Sequence, residues 1–353
     1  MQIKLSFNPG ERELPQRERN QHRERRGRTG LNPLLRDREI LKSGKVTVPP
    51  EHVRLPGETP KATGWQRIEL LLKEFDELVG LEDIKEVLRE IAAYVEIQKQ
   101  RSKEGLASEP MTLHMIFKGS PGTGKTTVAR LAGKLFKEIG VLSKGHLIEV
   151  DRADLVGEYI GHTAQKTRDQ LKKAAGGILF VDEAYSLARG GEKDFGKEAT
   201  DILVKYMEDM RDDLIVILAG YTHEMEAFMA SNPGLKSRFP FQLEFPDYTV
   251  MELATIGKLM LKKRQYWLDE EAQEELEKML RKAILQGHHK SGNARLVRNI
   301  IERAIRRQAV RLVKQPWVSR EDLMMITKAD LSGDSTLIKV AEVEQVMEQT
   351  QTM

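Results

Sequence analysis

Cysteine is absent from the 353-residue chain, which rules out a disulfide framework and Cys-ligated zinc and is compatible with a reducing compartment. Long apolar runs are missing too. The longest, such as residues 214–219, fall far short of the roughly 20 residues a membrane-spanning helix needs. Residues 1–10 lack the charged-then-apolar pattern of a secretory signal. Nor is there an excess of charge of one sign. Lys and Arg number 57 against 54 Asp and Glu, a formal net charge of +3, so the chain offers no general pull towards nucleic acid. These absences predict a soluble, cytoplasmic protein with no membrane segment, for which nucleic acid is not the expected partner. With 40% hydrophobic and 31% charged residues, the composition is that of an ordinary globular chain long enough for two or three compact units.

Along the chain the pattern changes several times. Residues 1–62 cluster Arg17, Arg19, Arg23, Arg25, Arg26 and Arg28 with Glu18 and Glu24, and Pro49, Pro50, Pro56 and Pro60 follow. So little apolar surface cannot offset ordering entropy, which predicts a flexible basic and polar arm. From Trp65 the spacing of Ile68, Leu71, Leu72 and Phe75, and of Ile84, Val87, Leu88, Ile91 and Val95, is helical. Short apolar runs at 112–117, 146–150, 178–181, 214–219 and 242–245 then alternate with helical segments near 126–139, 163–175 and 197–210. Such alternation predicts a parallel sheet with helices on both faces. After Pro246 the strand signals stop, and helical periodicity covers about 250–267, 270–285 and 294–313. Ser319-Arg320-Glu321-Asp322 has the form of a capping box. A second, smaller helical domain is expected there, with a loose polar tail at 331–353.

The strongest local signal is Gly119-Ser120-Pro121-Gly122-Thr123-Gly124-Lys125-Thr126, a full match to G-x-x-x-x-G-K-[ST]. It lies after an apolar strand and opens a helix, the context that gives this motif its meaning. Glycines let the backbone wrap phosphates with its N–H groups, and the helix N-terminus adds positive potential. Lys125 then reaches the β- and γ-phosphates and the Thr126 hydroxyl ligates Mg²⁺, while Thr127 completes the ATP-binding set. The second signal is Ile178-Leu179-Phe180-Val181-Asp182-Glu183, a strand buried on both faces that ends in two acids. Asp182 is the expected Mg²⁺ partner and Glu183 the general base for the attacking water.

These two motifs followed by an all-α segment resemble the AAA+ ATPases. The chain is similar in particular to their CbxX/CfqX group, which includes red-type Rubisco activases and a bacterial sporulation protein. The strings that carry the likeness are 117–130, 153–167, Asp182-Glu183-Ala184-Tyr185-Ser186-Leu187 and 232–240. The runs 141–149 and 188–195 lie nearer the sporulation member. The resemblance spans about residues 66–330. It implies an AAA+ P-loop NTPase domain of α/β class with a five-stranded parallel sheet at 66–246, then a small all-α lid at 247–330. It also implies ATP hydrolysis with Mg²⁺, a homo-hexamer, and a protein substrate.

Roles for further residues come from the same resemblance. Tyr159-Ile160-Gly161 matches the pore loop that grips an extended peptide, although such a tripeptide by itself is more often an ordinary loop end packing on its neighbour. Arg238 matches the arginine that reaches the γ-phosphate of the neighbouring subunit. Arg295, in Gly292-Asn293-Ala294-Arg295, matches the lid arginine that contacts nucleotide, with Arg298 one turn on as the substitute. Val79 and Gly80 match the segment lying against adenine. Where many relatives carry Asn at the end of the fourth strand, this chain reads Leu218-Ala219-Gly220-Tyr221-Thr222, which leaves Tyr221 and Thr222 both open as the polar residue there. His288 and His289 lie in a Gly-flanked connection and read as surface loop. Competing readings are a Rubisco activase, which shares nearly every motif, a DNA-directed loader, and a scaffold that binds ATP with little turnover. The balanced charge opposes the loader, and intact Glu183 and Arg238 oppose the scaffold.

Overall fold

The computed structural model of the protein describes residues 64–109, 111–159, 161–189, 194–231, 233–287 and 292–332. The expected arm at 1–62, the tail from 333 onwards, Ile160, His288 and His289 lie outside the described residues. Uninterrupted apolar runs suit strands that are covered on both faces, and two of them form the middle of the sheet. β3 (Ile178–Val181) and β4 (Ile215–Gly220) are buried at every position. With β1 (Met115–Gly119), β2 (Leu147–Val150) and β5 (Phe241–Phe245) they make a five-stranded parallel sheet of order β2-β3-β4-β1-β5. β2 and β5 occupy the edges and are only partly buried.

Alternation along each strand sends successive side chains to opposite faces. Met115, Phe117, Ile178, Phe180, Ile215 and Ile217 join one core, whereas Ile116, Leu179, Val181, Val216 and Leu218 join the other. The first core is covered by α1 (Gly64–Asp76), α2 (Glu82–Lys103) and α3 (Lys125–Glu138). The second is covered by α4 (Arg152–Leu155), α5 (His162–Ala174), α6 (Gly196–Asp209), α7 (Thr222–Ser231) and the loop at Phe239 after α8 (Pro233–Lys236). Phe117 sits at the centre of the first face, its ring centroid 4.9 Å from Phe245 and 6.4 Å from Phe180.

After β5 the chain enters a lid of α9 (Val250–Lys263), α10 (Glu270–Leu285) and α11 (Asn293–Leu312), closed by short α12 (Arg320–Met324) and α13 (Lys328–Leu331). Local chemistry sets the starts. Thr249 and Glu252 form a capping box, Asp269 caps α10 through Ala272 N at 2.6 Å, and Ser319 with Asp322 forms the capping box its sequence announces. α9 is shorter than its periodicity suggests. Gln265 has φ +62, and Trp267–Leu268 (β6) then pairs in parallel with Met325–Ile326 (β7), distant in sequence. Buried Gln308 donates to the carbonyls of Asp322, Leu323 and Met325, while Arg311 pairs with buried Asp330 at 2.9 Å. The lid's core residues, among them Leu253, Leu276, Val297 and Ile301, are continuous with the first face of the sheet. Among the described residues no helix is long and apolar enough to cross a membrane.

One buried titratable group makes a test of the second face. His114 is 2% exposed; its Nδ1 accepts from Val216 N at 3.0 Å, Nε2 faces Met207 O at 3.4 Å, and its ring lies 6.0 Å from that of Phe239. Burial pushes its pKa down to about 4, against the opposing pull of the Met207 carbonyl and Glu208. The unfolded chain, with His near 6.5, binds the proton first, so stability falls as pH drops from about 6.5 towards 4. In urea melts, His114→Asn is expected to lose less stability than wild type between pH 7 and 5, by about 1–2 kcal/mol. Parallel losses in the two proteins would show that His114 is not the source.

Candidate active site

Parallel α/β sheets bind ligands beyond the C-terminal ends of their strands. Here a cavity of about 530 Å³ opens at that edge, between the ends of β1, β3 and β4 and the lid. Gly119, Pro121, Gly122, Gly124, Lys125, Thr126 and Thr127 line it from the loop after β1, and Asp182 and Glu183 from the end of β3. Gly220 and Tyr221 enter after β4. Leu78, Val79 and Leu81 come from the turn before α2, and Ile256, Leu259, Met260 and Lys263 from α9. Ala294, Arg295 and Arg298 reach it from the first turns of α11.

Beyond Gly119, the last residue of β1, the loop at 120–124 belongs to neither strand ladder nor helix, so the carbonyls along this turn need partners from elsewhere. Each has one. Lys125 Nζ donates to Gly119 O and Ser120 O at 2.8 and 2.9 Å, and Thr123 Oγ1 also donates to Ser120 O at 2.8 Å. Asn293 Nδ2 reaches Pro121 O at 3.4 Å, Ala294 N reaches Gly122 O at 3.2 Å, and Tyr248 Oη reaches Thr123 O at 3.0 Å. Val128 N, in α3, takes Gly124 O at 2.9 Å. In a trans peptide the N–H runs opposite to the C=O. Holding these carbonyls therefore holds the N–H groups of Gly122, Thr123 and Gly124 on the other side. The glycines are required by this path: Gly122 has φ +74, and a Cβ there would lie 2.4 Å from Gly292 O.

Charge gathers at the same end. Burial pushes the Lys125 ammonium down to about 8, against the carboxylate of Asp182, and Arg295 lowers it further. Glu183 sits at φ 46, ψ 43, a left-handed conformation that costs a non-glycine residue about 1–3 kcal/mol and is concentrated at functional sites. Its N–H donates to Asp182 Oδ1 at 3.0 Å and its carbonyl accepts from Ser186 N at 2.8 Å, which pins the bend. Thr126 Oγ1 lies 3.4 Å from Glu149 Oε1 of β2. Burial, then the negative charge of Glu183, raises the pKa of the Tyr221 phenol. Its ring is 6.0 Å from that of Tyr185, over which Arg189 lies at 4.8 Å.

Other residues singled out by sequence fall elsewhere. Ser120 and Thr123 back the loop without lining the cavity, and Gly80 turns towards Glu252 of α9. Tyr221 is in the wall, whereas Thr222 opens α7 outside it. Arg295 and Arg298 both line it. Arg238 does not; its Nε donates to Glu208 Oε1 at 2.8 Å and its Nη1 to Gly234 O at 2.7 Å. Tyr159 is 67% exposed and packs edge-on against His162, beside Gly161 at the start of α5 and away from the cavity wall. Sequence reasoning did not reach Glu77, Arg130, Tyr248, Asn293 or the α9 residues. Only Asn293 carried a local signal, since Asn tolerates positive φ and precedes the lid arginine.

A cradle of oriented amides at a helix N-terminus, a half-buried ammonium, a hydroxyl, two carboxylates and two lid arginines suit a polyphosphate accompanied by a hard divalent cation. Apolar groups from the 78–81 turn and α9 line the same cavity. Fold and cavity together are those of a phosphate-loop domain with a helical lid. The family model described as ATPase family associated with various cellular activities (AAA) matches residues 115–247, and the AAA lid domain model matches 249–340. The chain is 57% identical over 261 residues to stage V sporulation protein K of Bacillus subtilis (strain 168), covering 74% of this chain and 81% of that protein. It is 48% identical over 269 residues to a CfxQ homolog of Cyanidium caldarium, with 75% and 93% coverage. The same identity and length hold for the chloroplastic ribulose bisphosphate carboxylase/oxygenase activase of Cyanidioschyzon merolae, with 75% and 91% coverage. The chain belongs to the AAA ATPase family, among the CbxX/CfxQ proteins.

With its pKa near 8, Lys125 keeps its charge at pH 7 and loses it as pH rises. Affinity for a fluorescent ATP analogue is expected to weaken above pH 8, approaching tenfold per pH unit. Lys125→Arg, whose charge does not titrate in this range, should flatten that profile in fluorescence titrations at pH 7–9.5.

Proposed function

We propose that the protein is an ATP-driven ring motor that threads or remodels a protein substrate, in a sporulation setting. The observation that carries the proposal is the convergence of Lys125, Thr126, Asp182, Glu183 and Arg295 on one cavity closed by the lid. In this reading the amides of the loop at 119–124 and Lys125 hold the β- and γ-phosphates of ATP. Val79, with the apolar residues of α9, packs on the base. Thr126 and Asp182 would hold Mg²⁺, which supplies charge neutralisation between the β- and γ-phosphates. Glu183 polarises a water and takes its proton as the water oxygen bonds to the γ-phosphorus. The bond from that phosphorus to the β-bridging oxygen breaks, leaving ADP and phosphate. Tyr221 is the hydroxyl best placed to orient that water, as it shares the wall with Glu183.

Arg238 takes its role across a subunit boundary. Its distance from its own chain's cavity, and its only partial burial in a pair with Glu208, suit a side chain that exchanges that pair for a neighbour's γ-phosphate in a homo-hexamer. Exposed Tyr159 then faces the substrate as the aromatic grip, with Ile160 and Gly161. Support for the sporulation setting is the 57% relative's name. The 48% relative named as a Rubisco activase supports a second reading, distinguished by whether added Rubisco stimulates turnover.

ATP turnover per subunit is expected to rise with protein concentration in step with ring assembly seen by sizing. Glu183→Gln should assemble and bind ATP without hydrolysis, and Arg238→Ala should lose about 10³–10⁵ in kcat. Mixing these two inactive variants should restore part of the activity, because some interfaces pair an intact Glu183 with an intact Arg238. Monomeric wild type with turnover independent of concentration would remove the ring and the Arg238 role.

A further inference from the structure

Asn293 is fully buried at the first residue of α11, with φ +37. Its carboxamide is committed in both directions. Oδ1 accepts from Tyr248 N at 3.0 Å; Nδ2 donates to Asp247 Oδ1 at 2.9 Å and to Pro121 O at 3.4 Å. The opposite amide orientation would set an oxygen against the Asp247 carboxylate and an NH₂ against the Tyr248 N–H, so the network fixes which way the group points. One side chain thus joins the phosphate loop, the segment leaving β5 and the helix that sends Arg295 into the cavity. The next residue, Ala294, adds its N–H to Gly122 O, and Tyr248 adds its hydroxyl to Thr123 O. Three successive carbonyls, those of Pro121, Gly122 and Thr123, are held from the lid or its linker.

We infer that Asn293 is a positioning residue for nucleotide, coupling the orientation of the phosphate-loop amides to that of the lid. The inference rests on the nucleotide reading of the cavity. Its physical basis is that a planar peptide cannot turn its N–H without turning its C=O. A change at the phosphate-facing side of the loop is therefore felt at Asn293, Ala294 and Tyr248. Coupling of this kind is reciprocal: a lid freed from the loop responds less to nucleotide, and the loop freed from the lid binds nucleotide less well. Asn is suited to the position because it tolerates positive φ while supplying both a donor and an acceptor. Asp would place a second carboxylate against Asp247.

The test uses full-length protein with Asn293→Gly, Tyr248→Phe and the double variant. Glycine keeps the left-handed backbone and removes the carboxamide together with its single methylene; phenylalanine keeps the ring and removes only the hydroxyl. Readouts are the Kd for a fluorescent ATP analogue with Mg²⁺, amide hydrogen exchange with and without that analogue, and the melting temperature. Asn293→Gly is expected to weaken binding about tenfold, and nucleotide should protect residues 293–300 markedly less than in wild type although it still protects the phosphate loop. Tyr248→Phe should act in the same direction, and the double variant should lose less than the product of the two, since both groups hold one loop. A lowered melting temperature with unchanged Kd and unchanged lid protection would make Asn293 a structural residue and overturn the inference. If Asn293→Gly does not fold, an unchanged Kd in Tyr248→Phe overturns it. Wild-type protein that fails to bind the analogue, or Lys125→Ala that binds it as wild type does, overturns the nucleotide reading and the coupling with it. Loss of binding in Lys125→Ala with a silent Asn293→Gly removes the coupling alone.

Discussion

A tight loop between a buried strand and a helix has main-chain carbonyls that neither neighbour can satisfy, and leaving them unpaired in a partly buried place costs about 1–3 kcal/mol each. Most features of the active-site region answer that constraint. Lys125 folds back on Gly119 and Ser120, Thr123 turns its hydroxyl inward, and the lid and its linker supply Asn293, Ala294 and Tyr248 to the next three carbonyls. The lid is therefore seated by hydrogen bonds to the loop as well as by the apolar contacts that continue from the sheet's first core. Any ligand that engages the other side of those peptides acts on a structure the lid helps to hold.

Strain is placed at the same edge. Among the described residues, Leu81, Glu183, Gln265 and Asn293 are the non-glycines with positive φ. Leu81 and Glu183 line the cavity, and Asn293 ties the loop to the lid. Each is held by its surroundings: Leu81 is buried and its carbonyl takes Lys85 N, Glu183 is pinned between Asp182 and Ser186, and Asn293 has its carboxamide network. The sheet behind them, with β3 and β4 wholly buried, is the rigid support that makes such conformations affordable.

Much of this was legible in the linear chain. Short apolar runs located all five strands of the main sheet, and the glycine pattern after the first of them located the loop that became one wall of the cavity. The capping box at Ser319 was equally local. Trp267 was not legible: helical spacing carried through it, yet it pairs with Met325 because Gln265 breaks the helix and the lid brings a distant segment alongside. The choice between Tyr221 and Thr222 was open for a similar reason. Adjacent residues at a strand end point in different directions, and only the packed arrangement puts Tyr221 in the wall.

What the sequence determined by itself was the set of features carried by short-range pattern: the parallel α/β sheet, the change to helices after β5, the acids at the end of β3 and the lysine at the start of α3. These depend on period, on the conformational freedom of glycine and on the side-chain chemistry of near neighbours. Tertiary structure alone decided which surfaces meet. It brought α9 across the 78–81 turn, set Asn293 on Pro121 across 172 residues, and left Arg238 with Glu208 outside its own cavity. Contacts of that separation leave no periodic trace in a single chain, because hydrogen bonds between distant segments are selected by the packing that brings them together.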